Sequence, residues 1–222
     1  MTPALAHIET WIFDLDNTLY PASANLFAQI DARMSAYIRR LLDVPHGEAV
    51  RIQKHFFHTH GTTLSGLMRE HEVSPQDFYG FVHDIDMEVL AEDRRLVDAI
   101  AALPGRKLVF TNGDERYARK VLAKLGLSES FEAIHDIEAC GFVPKPDPAA
   151  YRSMCERQRV APETALFMDD MARNLAPAKA LGMTTVWIDN GSEQGPAVAA
   201  PDFIDFAVGD PAGWLHGILG EI

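Results

Sequence analysis

The feature that most constrains this chain is a recurring order of a short apolar run, an abrupt polar end and a helical stretch. Apolar runs at 11–13, 107–110, 165–168 and 184–188 have the length and the β-branched or aromatic content of buried strands. A weaker strand pattern covers 133–135. Helical patterns between these runs are predicted at 115–125, 148–159 and 172–181. This alternation predicts an α/β fold with a doubly wound parallel sheet and right-handed crossovers.

Polar side chains stand where the predicted strands end. Asp14 follows the first strand, Thr111 follows the second, and Asp169 and Asp170 follow the strand at 165–168. In open parallel sheets, ligands bind outside the carboxyl ends of the strands, near a switch in strand order. These side chains are therefore predicted to gather at one edge of the sheet and form a site.

One long segment breaks the alternation. Roughly 75 residues separate the first two strands, far more than a crossover connection needs. This segment has helical patterns at 25–42, 47–58, 64–71 and from 75 onward. We predict that residues 21–95 form an inserted, all-helical cap domain over the strand ends, and that 1–20 and 96–222 form the catalytic core.

The composition narrows the range of partners. A formal net charge of −12 disfavours nucleic-acid polymers and anionic membranes, although a mononucleotide remains compatible. Two cysteines do not make a disulfide framework, and no apolar run approaches the roughly 18 residues of a membrane span. The start of the chain also lacks the order of a signal peptide. We therefore expect a cytoplasmic protein, with its oligomeric state left open.

Four short motifs follow one another along the chain, and together they resemble the haloacid dehalogenase (HAD) superfamily. The first motif of that superfamily is Asp-x-Asp-x-Thr directly after a strand. The motifs here are Asp14-Leu15-Asp16-Asn17-Thr18, Thr111, Lys145 within Pro144-Lys145-Pro146-Asp147, and Asp169-Asp170. Each motif alone has a simpler reading as a turn, a helix cap or a solvated loop residue. Four in the expected order are specific, because all four simpler readings would have to coincide.

The resemblance implies a catalytic role for each motif. Asp14 would attack phosphorus to give an aspartyl-phosphate, and Asp16 would protonate the leaving oxygen and later deprotonate water. Thr111 and Lys145 would hold phosphoryl oxygens, with added hydrogen bonds from Asn112. In this superfamily the dehalogenases lack the second aspartate, so Asp16 favours phosphatase or phosphomutase chemistry.

The resemblance also implies Mg²⁺ as cofactor. Unit charges 4 Å apart repel by roughly 4 kcal/mol at an effective dielectric of 20, so a carboxylate needs a cation to approach a phosphate dianion. The carboxylates of Asp14 and Asp170 and the backbone carbonyl of Asp16 would bind the metal. Asp169 would contribute directly or through water, and the sequence leaves open which of the paired aspartates is the direct ligand. Asn174 is expected to support the metal loop.

Two segments are similar to the pyrimidine 5′-nucleotidase branch of the superfamily. They are Phe13 to Pro21, with Tyr-Pro after the first motif, and His60 to Leu67. This likeness implies nucleoside monophosphates such as UMP or CMP as substrates, with Thr62 and Thr63 lining the pocket. The alternatives are a sugar-phosphate or other small-metabolite phosphatase, a phosphomutase, and a non-catalytic binding protein on the same fold.

Overall fold

A parallel sheet forms the centre of the molecule. The computed structural model describes residues 2–191 and 201–220, and the strands within these ranges are β1 Thr10–Phe13, β2 Arg106–Phe110, β3 Ala133–His135, β4 Ala165–Asp169, β5 Thr184–Ile188 and β6 Phe206–Val208. They lie in the order β3-β2-β1-β4-β5-β6, and all neighbours are parallel. The predicted α/β fold is confirmed. Because the strand order reverses between β1 and β4, the carboxyl ends of these two strands border the crevice where such sheets bind ligands.

Both faces of the sheet are covered. Trp11 and Phe13 point into one hydrophobic cluster, whereas Ile12 points into a second cluster with Phe110 and Phe167. All four residues of β1 and all five of β4 are buried. Burial on both faces explains why these strands read as continuous apolar runs rather than as alternating patterns.

Five helices of the described chain flank the sheet. Their bounds are α5 Arg94–Ala102, α6 Glu115–Lys124, α7 Pro148–Gln158, α8 Ala172–Ala180 and α9 Pro211–Leu219. Asp114 and Asp147 cap α6 and α7 by accepting backbone N–H groups in the first turn; Asp114 lies three residues after Thr111, and Asp147 ends the Lys145 motif. The helices predicted at 115–125, 148–159 and 172–181 therefore begin where the sequence placed them.

Four further helices lie between β1 and β2: α1 Leu26–Leu42, α2 His46–His60, α3 Thr63–His71 and α4 Pro75–Val82. They share a hydrophobic cluster of their own, whereas Leu26 and Ile30 at the start of α1 belong to the sheet cluster that contains Trp11 and Phe13. We call this unit the helical insertion. The proposed boundary at residue 95 falls inside α5, which Asp93 caps and which packs against α9. The division into core and cap stays a prediction.

Several elements were not predicted. Helix α9 starts at an Asp-Pro pair, a recognisable helix start, whereas β6 is three residues long, too short for a periodic pattern. In the described ranges, no helix combines the length and the apolar character needed to cross a bilayer.

Candidate active site

Asp14 lies at the first residue beyond β1 and is 7% exposed. Its backbone N–H donates to the carbonyl oxygen of Met168 at 2.8 Å, which continues the pairing of β1 with β4 by one residue. The Thr18 hydroxyl donates to Asp14 Oδ2 at 3.4 Å and accepts the backbone N–H of Asp170 at 3.1 Å. The loop after β1 is thus bound to the end of β4, and it presents Asp14 where the strand order reverses.

Lys145 is buried beneath Asp14. Its ammonium donates three hydrogen bonds of 2.8 Å, to Asp14 Oδ1, to Asp169 Oδ2 and to the carbonyl oxygen of Phe110. Burial disfavours its charge, but the carboxylates of Asp14 and Asp169 outweigh burial and raise the pKa of Lys145. Lys145 therefore stays charged and fixes the orientation of both carboxylates.

The loop after β2 holds Lys145 in place. Asn112 Oδ1 accepts the backbone N–H of Lys145 at 2.8 Å, and Asn112 Nδ2 donates to the Lys145 carbonyl at 3.1 Å. The Thr111 hydroxyl oxygen accepts the backbone N–H of Gly113 at 3.0 Å. The side chain of Asn112 is thus engaged with the backbone of the Lys145 loop, and its predicted contact with a phosphoryl oxygen stays a prediction.

Asp14, Asp169 and Asp170 bring carboxylate oxygens within 4.8 Å of one another, and we call them the acidic group. Asp169 is fully engaged: one oxygen accepts from the Met171 N–H and from Asn174 Nδ2, and the other accepts from Lys145 and Asn174. Among the described residues, none donates a hydrogen bond to the Asp170 carboxylate. This difference favours Asp170 as the direct metal ligand.

The acidic group holds more negative charge than Lys145 can neutralise. Burial, together with repulsion from Asp169, raises the pKa of Asp14 to about 7, although Lys145 acts in the opposite direction. Burial and the same neighbouring carboxylate raise the pKa of Asp170 to about 8. A divalent cation would remove this excess charge, and Mg²⁺ prefers carboxylate oxygens. The residues present therefore fit a magnesium site.

Asp16 has a different environment. The hydroxyls of Tyr20 and Tyr117 each donate to Asp16 Oδ1 at 2.6 Å, and we call these residues the tyrosine pair. Burial raises the pKa of Asp16, and the two hydroxyls act in the opposite direction. The Asp16 carboxylate lies outside the acidic group. Asp16 thus has hydrogen-bond partners different from those of the other aspartates, and no motif in the sequence indicated a role for Tyr117.

The segment with Thr62 and Thr63 begins beside the Lys145 loop. A Cβ atom on Gly61 would lie 2.9 Å from the side chain of Pro144, and Arg173 Nη2 donates to the Gly61 carbonyl at 3.3 Å. Thr62 caps α3 by accepting the Ser65 N–H at 3.1 Å, and Thr63 is buried. The predicted contact of both threonines with a substrate stays a prediction.

Comparison with known proteins identifies the family. The model of the haloacid dehalogenase-like hydrolases matches residues 8–182. The chain belongs to this family. The match contains all four motifs and the whole helical insertion, so the predicted superfamily is confirmed.

Two curated relatives illustrate the range of the family. The chain is 24% identical to Phosphate metabolism protein 8 of Saccharomyces cerevisiae over 192 residues, which cover 79% of this chain and 60% of that protein. It is 30% identical to Enolase-phosphatase E1 of Thioalkalivibrio sulfidiphilus over 157 residues, covering 65% of this chain and 63% of that protein. The chain therefore spans less than two thirds of the length of these relatives.

A solved structure supports the fold. The magnesium-bound HAD-hydrolase YfnB of Bacillus subtilis, reported to reveal interdomain movement, superposes with a TM-score of 0.60 at 19% identity. The match covers 96% of this chain and 98% of that chain. At this identity the likeness concerns the fold, and a function must be argued from the site itself.

Proposed function

We propose that this protein is a magnesium-dependent phosphomonoester hydrolase that acts through an aspartyl-phosphate on Asp14. The observation that carries the proposal is the arrangement around Asp14: a charged lysine and a second free carboxylate on one side, and the separately held Asp16 on the other. The likeness to Enolase-phosphatase E1 supports the hydrolysis of a phosphate ester. We continue to place the protein in the cytoplasm, as its composition predicts.

The proposed reaction has two steps. Asp14 attacks phosphorus while Asp16 gives a proton to the leaving oxygen, and Asp16 then takes a proton from the water that hydrolyses the aspartyl-phosphate. Mg²⁺, when bound by the carboxylates of Asp14 and Asp170 and the backbone carbonyl of Asp16, supplies charge that offsets the repulsion between substrate and site.

Lys145, Thr111 and Asp169 complete the proposed machinery. Lys145 favours the ionised form of Asp14 and orients it, and its charge also favours the developing negative charge on the phosphoryl group. Thr111 stands after β2 and is assigned to a phosphoryl oxygen. Asp169 acts by holding Lys145, because its oxygens already accept hydrogen bonds from Lys145, Met171 and Asn174.

For the substrate, we propose pyrimidine nucleoside 5′-monophosphates. The support is the Tyr-Pro pair after the first motif and the glycine-threonine segment of the helical insertion, which begins beside the Lys145 loop. Thr62 and Thr63 are assigned to the substrate pocket on the same basis. A second candidate, another small-metabolite phosphatase, is favoured by the likeness to Enolase-phosphatase E1. A phosphomutase would use the same site.

The test is phosphate release from UMP, CMP, AMP, GMP, sugar phosphates and phosphoglycolate, each with Mg²⁺ and with EDTA. We expect Mg²⁺-dependent release that is fastest with UMP or CMP. Preference for a sugar phosphate would retain the mechanism and reject the nucleotide assignment. Little net release, with a requirement for a bisphosphate activator, would indicate a phosphomutase. No release from any compound by folded protein would contradict the proposed hydrolase.

A further inference from the structure

The tyrosine pair places both of its hydrogen bonds on one oxygen of Asp16. Tyr20 and Tyr117 donate to Oδ1 at 2.6 Å each, a distance typical of hydroxyl bonds to an ionised carboxylate. Within the described residues, hydrogen bonds reach only this oxygen of Asp16. The second oxygen, Oδ2, therefore remains available for a proton that the reaction must deliver.

Two hydroxyls on one oxygen also fix the rotation of the carboxylate. Tyr20 is four residues from Asp16, whereas Tyr117 comes from the first turn of α6, 101 residues away. Donors from two separate elements hold the group at two angles, which a single donor cannot do. General acids act well only when the proton lies within hydrogen-bond reach of the leaving atom.

Tyr117 is itself held on both sides. It is 1% exposed, its backbone N–H donates to Asp114 Oδ1 at 3.0 Å, and its ring stacks on His83 with centroids 4.1 Å apart. His83 follows α4 of the helical insertion, lies with Nδ1 2.7 Å from Asp114 Oδ2, and stacks on Tyr79 from the other side. The hydroxyl of Tyr117 is therefore presented to Asp16 by a rigid stack that joins the insertion to the core.

We propose that Tyr117 and Tyr20 are positioning residues that occupy Oδ1 of Asp16 and so direct the protonated Oδ2 at the leaving oxygen. This inference rests on the proposed phosphatase function. As the Asp14 oxygen bonds to phosphorus and the ester P–O bond breaks, the proton passes from Oδ2 to the departing oxygen. Neither tyrosine gives up its own proton.

The test compares alcohol leaving groups, which need the proton from Asp16, with p-nitrophenolate, which does not. An alcohol leaves poorly without protonation, whereas p-nitrophenolate leaves readily as an anion. We would measure kcat/KM, which reports the steps through phosphoryl transfer, for p-nitrophenyl phosphate and for the panel compound that wild type cleaves fastest. The variants are Tyr117→Phe, Tyr20→Phe and the double variant. Tyr37→Phe, in the cluster of the insertion, is the control for loss of a tyrosine hydroxyl.

For each single variant of the pair, we expect a loss of about 10-fold with the alkyl phosphate and less than about 3-fold with p-nitrophenyl phosphate. For the double variant, kcat/KM should fall by about 100-fold with the alkyl phosphate, which lies within the range of general acid catalysis. With p-nitrophenyl phosphate it should fall by only about 3-fold. Thermal melting of every variant shows whether it is folded. Equal losses with both substrates, or activity like that of Tyr37→Phe, would overturn the positioning role while leaving the phosphatase intact. A wild-type protein that cleaves no compound at all would overturn both.

Discussion

The two sides of the candidate site hold aspartates in opposite ways. On one side, the acidic group crowds three buried carboxylates around the single ammonium of Lys145. On the other side, Asp16 meets no cation among its hydrogen-bond partners and is held by the neutral hydroxyls of the tyrosine pair. The same residue type is thus held by an ammonium at Asp14 and by two hydroxyls at Asp16, two residues apart in the chain.

This difference matches the two tasks of the proposed reaction. A nucleophile and a metal ligand must remain ionised, and a fixed positive charge favours that state. An acid–base group must gain and lose a proton during each cycle, and at Asp16 burial raises the pKa while the two hydroxyl donors lower it, so the two influences oppose each other. Carboxylates whose environments differ in this way commonly divide the nucleophilic and acid–base roles between them.

The largest expected effect comes from the charged side. Asp14→Asn removes the proposed nucleophile but retains the shape of the side chain and an oxygen that can face Lys145. We expect phosphate release to fall by about 1,000-fold or more, with the protein still folded. Phosphate release under saturating Mg²⁺ and a thermal melt measure the two quantities.

Asp189→Asn is the matched control, because Asp189 also follows a strand, β5, but is exposed. That variant should release phosphate at the wild-type rate. An Asp14→Asn protein that retains more than about a tenth of wild-type activity would show that the nucleophile lies elsewhere.

Lys145→Met tests how far the acidic group depends on the ammonium of Lys145. The substitution leaves two buried carboxylates without their partner, and breaking such a pair typically costs about 3–5 kcal/mol. We therefore expect the free energy of unfolding in EDTA to fall by about that amount. Mg²⁺ should return part of the loss, because the acidic group would bind the cation in place of the ammonium.

Lys179→Met is the comparison for an ordinary ion pair. Lys179 pairs with Asp205, and their side chains are 37% and 30% exposed. Such a pair contributes at most about 1 kcal/mol, so the loss in unfolding free energy should be small and independent of Mg²⁺. Similar losses for both lysine variants would show that burial adds nothing to the importance of Lys145.

Much of the fold could be predicted from sequence because the core strands are buried on both faces. The runs ending at Phe13, Phe110 and Met168 stand out by composition alone, and the polar residue after each run marks the site. Helix α5 was missed although Asp93 caps it and its buried Leu96, Ala99 and Ile100 recur at helical spacing, whereas β6 is three residues long and is positioned by pairing with β5.

The two sides of the candidate site also differ in how far they could be predicted from the sequence. The acidic group could be predicted because its members lie in motifs at strand ends. The tyrosine pair could not, because Tyr117 meets Asp16 only after α6 has folded onto the sheet, and nothing in a spacing of 101 residues marks the contact. Tyr20 lies within the Phe13 to Pro21 segment, but the sequence pattern does not indicate that its hydroxyl donates to Asp16.

Asp170→Asn also changes the acidic group, but it should stabilise the protein in EDTA, whereas Lys145→Met should destabilise it. Burial raises the pKa of Asp170 to about 8, so the folded apo protein holds this proton more tightly than the unfolded chain does. That contribution to stability is present at low pH and is lost as the pH rises toward about 8. At about pH 8 in EDTA, Asp170→Asn should therefore be more stable than wild type, with a higher Tm.

The same variant should lose the thermal stabilisation that Mg²⁺ gives to wild type, and its advantage in EDTA should shrink as the pH falls toward 5.

Asp205→Asn is a control in which the pKa shift has the opposite sign. Although burial acts against it, Lys179 lowers the pKa of Asp205, so this carboxylate stabilises the fold above its ordinary pKa and stops doing so as the pH falls. Thermal melts of both variants across pH separate the two cases. An Asp170→Asn protein that is less stable than wild type at every pH without metal would show that the acidic group is not destabilised by excess negative charge.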